Sequence, residues 1–223
     1  MSAIDVLKAM RREDVEIALD QWKKVDPSTR SAVLTGWDLA LTGGVADADT
    51  LVGLRQAVEA GSKGVMEIAC YIGSVLNERD KTAFSMTLDL AASPTAQGRI
   101  GALLCMPPQT PDALAGPILD ALLHDRSKKV REMAVEWIRR HDLKEYLPML
   151  EAMLTIENNQ AVKEYAALVV GLVKDGYYVR PDSEPIHVTI KAKGGIYSGV
   201  VDPELARGLS NREIAEKVMS TNA

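Results

Sequence analysis

The segment Pro117–Val173 contains one sequence pattern twice. In the first copy, PILDALL (117–123) is followed by a polar break and by KKVREMAVEWI (128–138). In the second copy, PMLEAML (148–154) is followed by a break and by AVKEYAALVV (161–170). Apolar residues that lie three and four positions apart share one face of a helix. Each copy therefore predicts a pair of amphipathic helices separated by a short loop.

The second helices of the two copies align at a spacing of 32 residues. Four apolar positions recur in this frame, Val130, Ala134, Trp137 and Ile138 as Val162, Ala166, Val169 and Val170. A single helix pair cannot bury the apolar faces of both its helices, so neighbouring pairs must stack. The spacing therefore predicts an α-solenoid, a row of helix pairs that share a continuous core.

Asp125, Val130, Arg131 and Ala134 together resemble the second-helix signature of HEAT repeats, especially the short bacterial type found in phycobilisome-lyase-like proteins. The resemblance implies an α-solenoid. It implies little about activity, because one fold carries many functions. In the next copy, Ile156 stands where the aspartate is expected. We therefore expect any Asp-to-Arg ladder between repeats to be weaker there.

Carried through the chain, the pattern predicts an all-α fold of about five HEAT-like helical pairs over residues 1–176. The segment 106–111 contains three prolines and is expected to be an extended connector. The connector follows a helix pair whose first helix is expected to carry an apolar stripe. This stripe consists of Phe84, Leu88 and Ala91. The inner helices of the later pairs are expected at 63–77, 95–106, 126–140 and 159–173.

The character of the chain changes after residue 176. Residues 177–185 contain two prolines and are expected to be an extended surface segment. Apolar and polar residues alternate over 186–192, the period of a half-buried strand, and Gly194–Gly195 predicts a turn into a second strand at 196–201. A capping-box sequence at 210–213 predicts a final helix.

A lone two-stranded hairpin is marginally stable in water, so it must cover another apolar surface or pair with another chain. We expect residues 177–223 to pack on the solenoid as a C-terminal cap made of the hairpin and the last helix. The alternative is that the free edge of the hairpin recruits a second copy and forms a homodimer.

The composition is typical of a globular protein and disfavours several functional classes. The 223 residues are 47% hydrophobic and 26% charged, with a net charge of −5, which disfavours bulk attraction to nucleic acid or to an anionic membrane. No apolar run approaches the roughly 18 residues of a membrane span, and the first residues do not resemble a secretion signal. We therefore predict a cytoplasmic protein. Cys70 and Cys105 lie among helical apolar residues and are expected to be buried free thiols.

The sequence contains no pattern that predicts catalysis. His124, His141 and His187 have no metal-ligand spacing to one another or to a cysteine. The nucleophile motif GxSxG, a P-loop and a GxGxxG after a strand do not occur. We therefore assign no catalytic residue, no metal site and no cofactor.

A helical-repeat array offers an extended concave surface, and we expect a non-enzymatic module that binds a protein or peptide there. The polar positions just off the buried stripes of the inner helices are the candidate contacts. They are Arg99, Arg131, Glu132, Lys163 and Tyr165.

The alternative hypothesis, nucleic-acid binding, rests on the densest run of basic residues. This run consists of Arg126, Lys128, Lys129, Arg131, Arg139 and Arg140. Such a stripe resembles that of the HEAT-like DNA glycosylases, which would make the chain a nucleic-acid-binding protein. Interleaved acids at i,i+4 spacing favour a solvated face instead. A glycosylase also needs an exposed aromatic beside a carboxylate, and Trp37–Asp38 is the adjacent pair of that kind.

Overall fold

A computed structural model describes residues 2–180, 183–192 and 195–221. The chain is mostly helical and has one small antiparallel sheet of three strands. It forms two compact units, residues 1–122 (unit 1) and 123–223 (unit 2).

Among the described residues of unit 1, all regular secondary structure is helical. Its elements are α1 (Ala3–Ala9), α2 (Arg12–Gln21), α3 (Pro27–Thr42), α4 (Ala48–Ala60), α5 (Lys63–Arg79), α6 (Phe84–Ala91), α7 (Ala96–Cys105) and α8 (Asp112–Leu123), the last residue of which belongs to unit 2. Polar caps set several of the boundaries. Asp26 accepts a hydrogen bond from the Thr29 N–H at 2.9 Å where α3 begins, and Gly43 ends α3 in the left-handed conformation (φ 84°).

Helix α5 lies at the centre of unit 1. It packs against α1, α2, α3, α4, α6 and α7. Small residues allow these helices to approach closely. A Cβ atom added to Gly101 of α7 would lie 2.1 Å from a methyl carbon of Val58 in α4, and one added to Gly73 of α5 would lie 3.0 Å from the Cys105 sulfur. The core of unit 1 therefore depends on positions without a side chain as well as on aliphatic packing.

The helices of unit 2 come first in its sequence and its sheet follows. The elements are α9 (Lys128–His141), a 3₁₀ turn (Lys144–Tyr146), α10 (Leu147–Ile156), α11 (Gln160–Lys174), β1 (Tyr177–Val179), β2 (Ile186–Ala192), β3 (Gly195–Val201), α12 (Pro203–Ala206) and α13 (Asn211–Thr221). Helix α11 packs against both α9 and α10, and its residues Val162, Ala166 and Val169 are fully buried.

The sheet has the order β1-β2-β3, and both strand pairs are antiparallel. One face packs on α13 through a small core, whose buried members are Val188, Ile190, Val201, Ala206, Ile214, Ala215 and Val218. Strands β1 and β2 also contact α11. Gly171 of α11 makes this approach feasible, because a Cβ atom there would lie 2.8 Å from the Tyr177 carbonyl oxygen. The sheet therefore packs on α13, and its first two strands also contact α11.

The predicted helices and strands are present with small changes in their boundaries. The inner helices expected at 63–77, 95–106, 126–140 and 159–173 correspond to α5, α7, α9 and α11. The predicted hairpin is β2–β3, although Gly194 of its turn lies outside the described residues. Cys70 and Cys105 are buried free thiols, as predicted.

Three elements of the fold differ from the expectations or were not predicted. Residues 177–179 form strand β1, whereas an extended surface segment was expected, because three residues are too few to show a strand period. Helix α1 was not predicted, since Leu7 is its one buried residue. Helix α8 begins at Asp112, ahead of the quoted stretch PILDALL, so Pro117 lies inside the helix.

Candidate binding groove and the predicted site residues

A groove in unit 1 has a volume of about 510 Å³. It is formed by the last turn of α5, the first half of α6, the connector that follows α7 and the first turn of α8. Its apolar lining consists of Phe84, Leu88, Pro107, Pro111 and Leu114. The prolines prevent the connector from continuing α7 as a helix.

Two leucines of the groove are unusually exposed for their type. Leu88 is 48% exposed and Leu114 is 39% exposed. Leu88 was expected on the buried stripe of its helix, and this prediction was wrong. Helix α6 buries Phe84, Met86 and Leu90, so Leu88 points away from the core. Exposed apolar side chains that line a concavity indicate a binding surface more strongly than the same side chains scattered over a surface.

The rim of the groove is polar and close to electrically neutral. It carries one acid, Glu78, and one base, Lys81, together with Thr82, Ser85, Gln109 and Thr110. The hydroxyl protons of Ser85 and Thr110 are donated to local carbonyl oxygens at 2.8 and 2.7 Å. The hydroxyl oxygens therefore retain the capacity to accept hydrogen bonds.

Asn77 holds the helices around the groove together. Its amide nitrogen donates to the Thr87 hydroxyl and to the Cys105 carbonyl oxygen, both at 2.8 Å, so it ties the end of α5 to α6 and α7. The bond to a carbonyl fixes which end of the amide is the nitrogen. The side-chain oxygen of Asn77 is buried and has no hydrogen-bond partner among the described residues.

The five residues predicted for a concave face lie in both units. Arg99 is in unit 1, whereas Arg131, Glu132, Lys163 and Tyr165 lie on α9 and α11 of unit 2. Arg99 is 8% exposed, and its guanidinium donates to the Ser93 carbonyl oxygen at 2.8 Å. Lys163 is exposed. These positions do not belong to the groove of unit 1.

Arg131 repeats the arrangement of Arg99 one frame later. Its guanidinium donates to the Asp125 carbonyl oxygen at 2.8 Å, six residues before it, as Arg99 does to Ser93. It also forms a two-point ion pair with Glu157, with N–O distances of 2.6 and 3.0 Å. The Glu157 side chain is 4% exposed and that of Arg131 is 16% exposed. Arg131 therefore fastens α9 to the loop between α10 and α11.

The expectation of a weaker Asp-to-Arg ladder in the second copy was wrong, because Glu157 forms an ion pair with Arg131. In the 32-residue frame it occupies the place of Asp125, one residue after Ile156. Ser93, Asp125 and Glu157 each accept the backbone N–H two residues later, at 3.2, 2.7 and 2.7 Å. A longer acidic side chain thus performs the loop contact of the aspartate and also reaches Arg131.

Tyr165 and Glu136 link α11 to α9. The Tyr165 hydroxyl donates to Glu136, which also accepts from Arg139 at 2.5 and 2.7 Å and from Arg140 at 3.4 Å. Burial alone would raise the pKa of Glu136, but the hydrogen bonds from Arg139 and Tyr165 outweigh it and lower this pKa. Burial and the neighbouring carboxylate raise the pKa of Tyr165 to about 12. Tyr165 is thus a protonated donor at neutral pH, and the cluster is suited to holding helices together.

The basic residues considered for nucleic-acid binding are largely paired with carboxylates. Lys128 lies 3.4 Å from Glu132, Arg131 is paired with Glu157, and Arg139 and Arg140 share Glu136. Each pair reduces the positive potential available to a phosphate backbone. Trp37 is buried at 9% exposure, and Asp38 is engaged by Arg12 at 2.6 Å. The Trp37–Asp38 pair therefore does not present an aromatic ring beside an unpaired carboxylate.

A smaller cavity of about 240 Å³ lies in unit 2 beside Arg139, Arg140, Asp142 and Lys191. Lys191 and Asp142 are paired at 2.5 Å. The cavity adjoins the carboxyl ends of α9 and α11, where helix dipoles are negative and attract cationic side chains. The basic residues here are explained by the helix ends and by their acidic partners, so they do not indicate an anion site.

The remaining chemistry-bearing groups do not form a reactive site. Hydrogen bonding to Cys105 and burial raise the pKa of Cys70, so its thiol stays protonated and is a poor nucleophile. Within the described ranges, no cluster of three or more His, Cys, Asp or Glu side chains could hold a metal ion. In the same part of the chain, no helix is both long enough and apolar enough to cross a membrane.

Comparison of the chain with protein-family models, with curated proteins and with solved structures finds no match. The resemblance to HEAT repeats therefore rests on the residues quoted above.

Proposed function

We propose that this protein is a non-enzymatic interaction module that binds an apolar segment of a partner polypeptide in the groove of unit 1. The observation that carries the proposal is the concave apolar lining in which Leu88 and Leu114 are 48% and 39% exposed. Covering such side chains releases water from apolar surface, which is the main favourable contribution to most protein association.

The residues that line the groove favour a peptide with apolar side chains and few charges. Apolar floor residues suit two or three aliphatic or aromatic anchors on the partner. The rim hydroxyls can accept hydrogen bonds and the Gln109 amide can both donate and accept them, which suits the backbone of a peptide. With one acid and one base on the rim, the central part of the partner segment is expected to be uncharged.

We further propose that the helices of each unit follow an α-solenoid plan. In unit 1, second neighbours pack against each other as α3 with α5, α4 with α6 and α5 with α7. In unit 2, α9 packs against α11. This arrangement is what stacked helix pairs require, and it supports the helical-repeat character of the proposed module. A cytoplasmic location stays a prediction from the sequence.

Selection from a random peptide display library on the immobilised full-length protein tests the proposal. We expect enriched peptides to share two or more apolar anchors and few charges. Binding of a synthesised, labelled peptide is then measured for wild type, for Leu88→Gln and for Leu114→Gln. Each substitution is expected to weaken binding by about tenfold, since truncating a central apolar contact costs about 1–2 kcal/mol.

Val52→Gln is the matched control, because Val52 is also 48% exposed in unit 1 and does not line the groove. It is expected to bind the peptide like wild type. Equal loss in the control, or enriched peptides that ignore both leucine variants, would contradict the proposal. Titration of a labelled DNA duplex provides the other arm. Salt-dependent binding of that duplex, with no peptide enrichment, would favour the nucleic-acid alternative.

A further inference from the structure

The outer edge of the sheet in unit 2 is the second exposed apolar feature of the molecule. Strand β3 pairs with β2 on one side, and its other side is an edge of the sheet. Three of its large apolar residues are exposed, Ile196 at 43%, Tyr197 at 49% and Val200 at 58%. The strand GIYSGVV contains no charged residue and no proline. Edge strands usually carry charged residues or proline, which prevent pairing with another chain.

The register shows which backbone groups of β3 face outward. The Lys191 N–H donates to the Gly176 carbonyl and the Arg180 N–H donates to the His187 carbonyl, so odd-numbered residues of β2 bond towards β1. Even-numbered residues of β2 therefore bond towards β3, where they face its odd-numbered residues. The N–H and C=O groups of Ile196, Ser198 and Val200 consequently point to the free edge. In the strand order β1-β2-β3, no described strand pairs with β3 on that side.

This edge is complementary to itself. An antiparallel second copy of β3 with its two-fold axis at Ser198 pairs Ile196 with Val200 of the second copy and Ser198 with its own counterpart. All three outward-facing residues are then engaged, and each pair exchanges two hydrogen bonds. On one face, β-branched Ile196 and Val200 lie side by side, a favourable cross-strand pair. No like charges meet along the strand.

The other face of the strand supports the same register. Tyr197 of one copy lies opposite Gly199 of the other, so an exposed aromatic ring covers a position that has no side chain. A side chain at position 199 would require a shift in α13, because a Cβ atom there would lie 2.9 Å from a methyl carbon of Val218. The ring of Tyr197 therefore has a place to lie in the pairing, whereas in the single chain it is half exposed.

From these observations we propose that β3 is a homodimerisation surface, at which two copies of this chain join their sheets through antiparallel β3–β3 pairing centred on Ser198. The surface is separate from the groove of unit 1, so the failure of either proposal leaves the other standing.

A disulfide trap tests the register on the full-length chain. Ser198→Cys is expected to cross-link with its counterpart under mild oxidation, because Cα atoms of a hydrogen-bonded pair lie about 5.5 Å apart, within disulfide range. Val200→Cys is the matched control, since its counterpart lies four residues along the strand, about 13 Å away. Cys70 and Cys105 are buried and do not compete. Equal cross-linking of both variants, or of neither, would overturn the proposal.

Association is measured independently by sedimentation velocity over a concentration series. Wild type is expected to shift from monomer to dimer as concentration rises. Val200→Lys is expected to raise the dimer dissociation constant by about tenfold or more, because it places a charge on the edge. Leu205→Lys, at a 61% exposed position of α12, is expected to leave the constant unchanged. A wild type that stays monomeric at every concentration overturns the proposal.

Amide hydrogen exchange on unsubstituted protein guards against variants that fail to fold. The N–H groups of Ile196, Ser198 and Val200 are expected to become protected as protein concentration rises. Those of Tyr197 and Gly199, already bonded to β2, are expected to show the same protection throughout. Concentration-independent exchange at all five positions contradicts the pairing.

Discussion

Helices α7 and α9 occupy the same place in the 32-residue frame, yet they pack by different means. Both carry an arginine that donates to the carbonyl six residues before it. Helix α7 then has glycine at position 101, and its packing leaves no room for a side chain there. Helix α9 has Trp137 where α7 has Cys105, and it reaches α11 through Glu136 and Tyr165.

The comparison teaches that the two helices share the loop contact and differ in the contact between helices. In both, the loop contact satisfies a backbone carbonyl that would otherwise lose a hydrogen bond, whereas Lys163, at the equivalent position of α11, is exposed. The distance between helices depends on side-chain volume, and small or large residues can fill it provided that their neighbours match. Substitutions in the two helices should therefore have effects of different origin.

The largest effect is expected for Arg131→Met. This change leaves the Glu157 carboxylate, 4% exposed, without its ion-pair partner, which costs about 3–5 kcal/mol of unfolding free energy. Lys163→Met, at the equivalent exposed position of α11, is expected to change stability by less than about 0.5 kcal/mol. Urea denaturation measures both. Equal effects in the two variants would show that the ladder contact is not stabilising.

Gly101→Ala combines a favourable and an unfavourable effect, and the unfavourable one is expected to be larger. Alanine gains about 1 kcal/mol of helix propensity over glycine, but its methyl group would collide with Val58, and such overpacking costs about 1–3 kcal/mol. Gly64→Ala in α5 is the control, since no atom lies within 4 Å of the added Cβ, and it is expected to be stabilising. Relative to wild type, Gly101→Ala should therefore lower the melting temperature and Gly64→Ala should raise it.

Tyr165→Phe is expected to lower the free energy of unfolding by about 1.5–3 kcal/mol, because the Tyr165 hydroxyl donates a hydrogen bond to the charged Glu136. Burial and Glu136 raise the pKa of Tyr165 to about 12 in the folded protein, above the value near 10 of an unfolded tyrosine. The contribution is therefore fully present below pH 10 and is lost as the pH rises towards 12. Denaturation of both proteins from pH 7 to 11.5 tests this. A difference that grows above pH 10 would contradict the assignment, and Tyr71→Phe, at an exposed position, serves as control.

The smallest effect is expected for Lys128→Gln. Its ion pair with Glu132 has an N–O distance of 3.4 Å, and the two side chains are 48% and 36% exposed. Water and salt screen such a pair, so the loss should be about 0.2–0.5 kcal/mol and should disappear at high salt. A loss comparable to that of Arg131→Met would show that exposed pairs hold α9 as firmly as the buried one.

Local pattern was enough to predict most of the secondary structure. The four inner helices and both strands of the hairpin follow from apolar spacing, since buried faces must repeat with the period of the element that carries them. Strand β1 and helix α1 show too short a pattern to reveal a period. For the predicted site residues, spacing indicated only which positions lie beside a buried stripe. It could not show that Arg131 is engaged by Glu157, 26 residues later.

The sequence by itself determined where most of the helices and the β-hairpin lie and most of the residues that face inward, because those properties depend on neighbours along the chain. The groove of unit 1 and the open edge of β3 were decided only by the tertiary structure. Leu88 has helical spacing from Phe84 and is exposed nonetheless, because α6 packs with Met86, Thr87 and Leu90 facing the core. Such surfaces depend on which distant segments pack together and on which apolar groups they leave uncovered, and no local period records that.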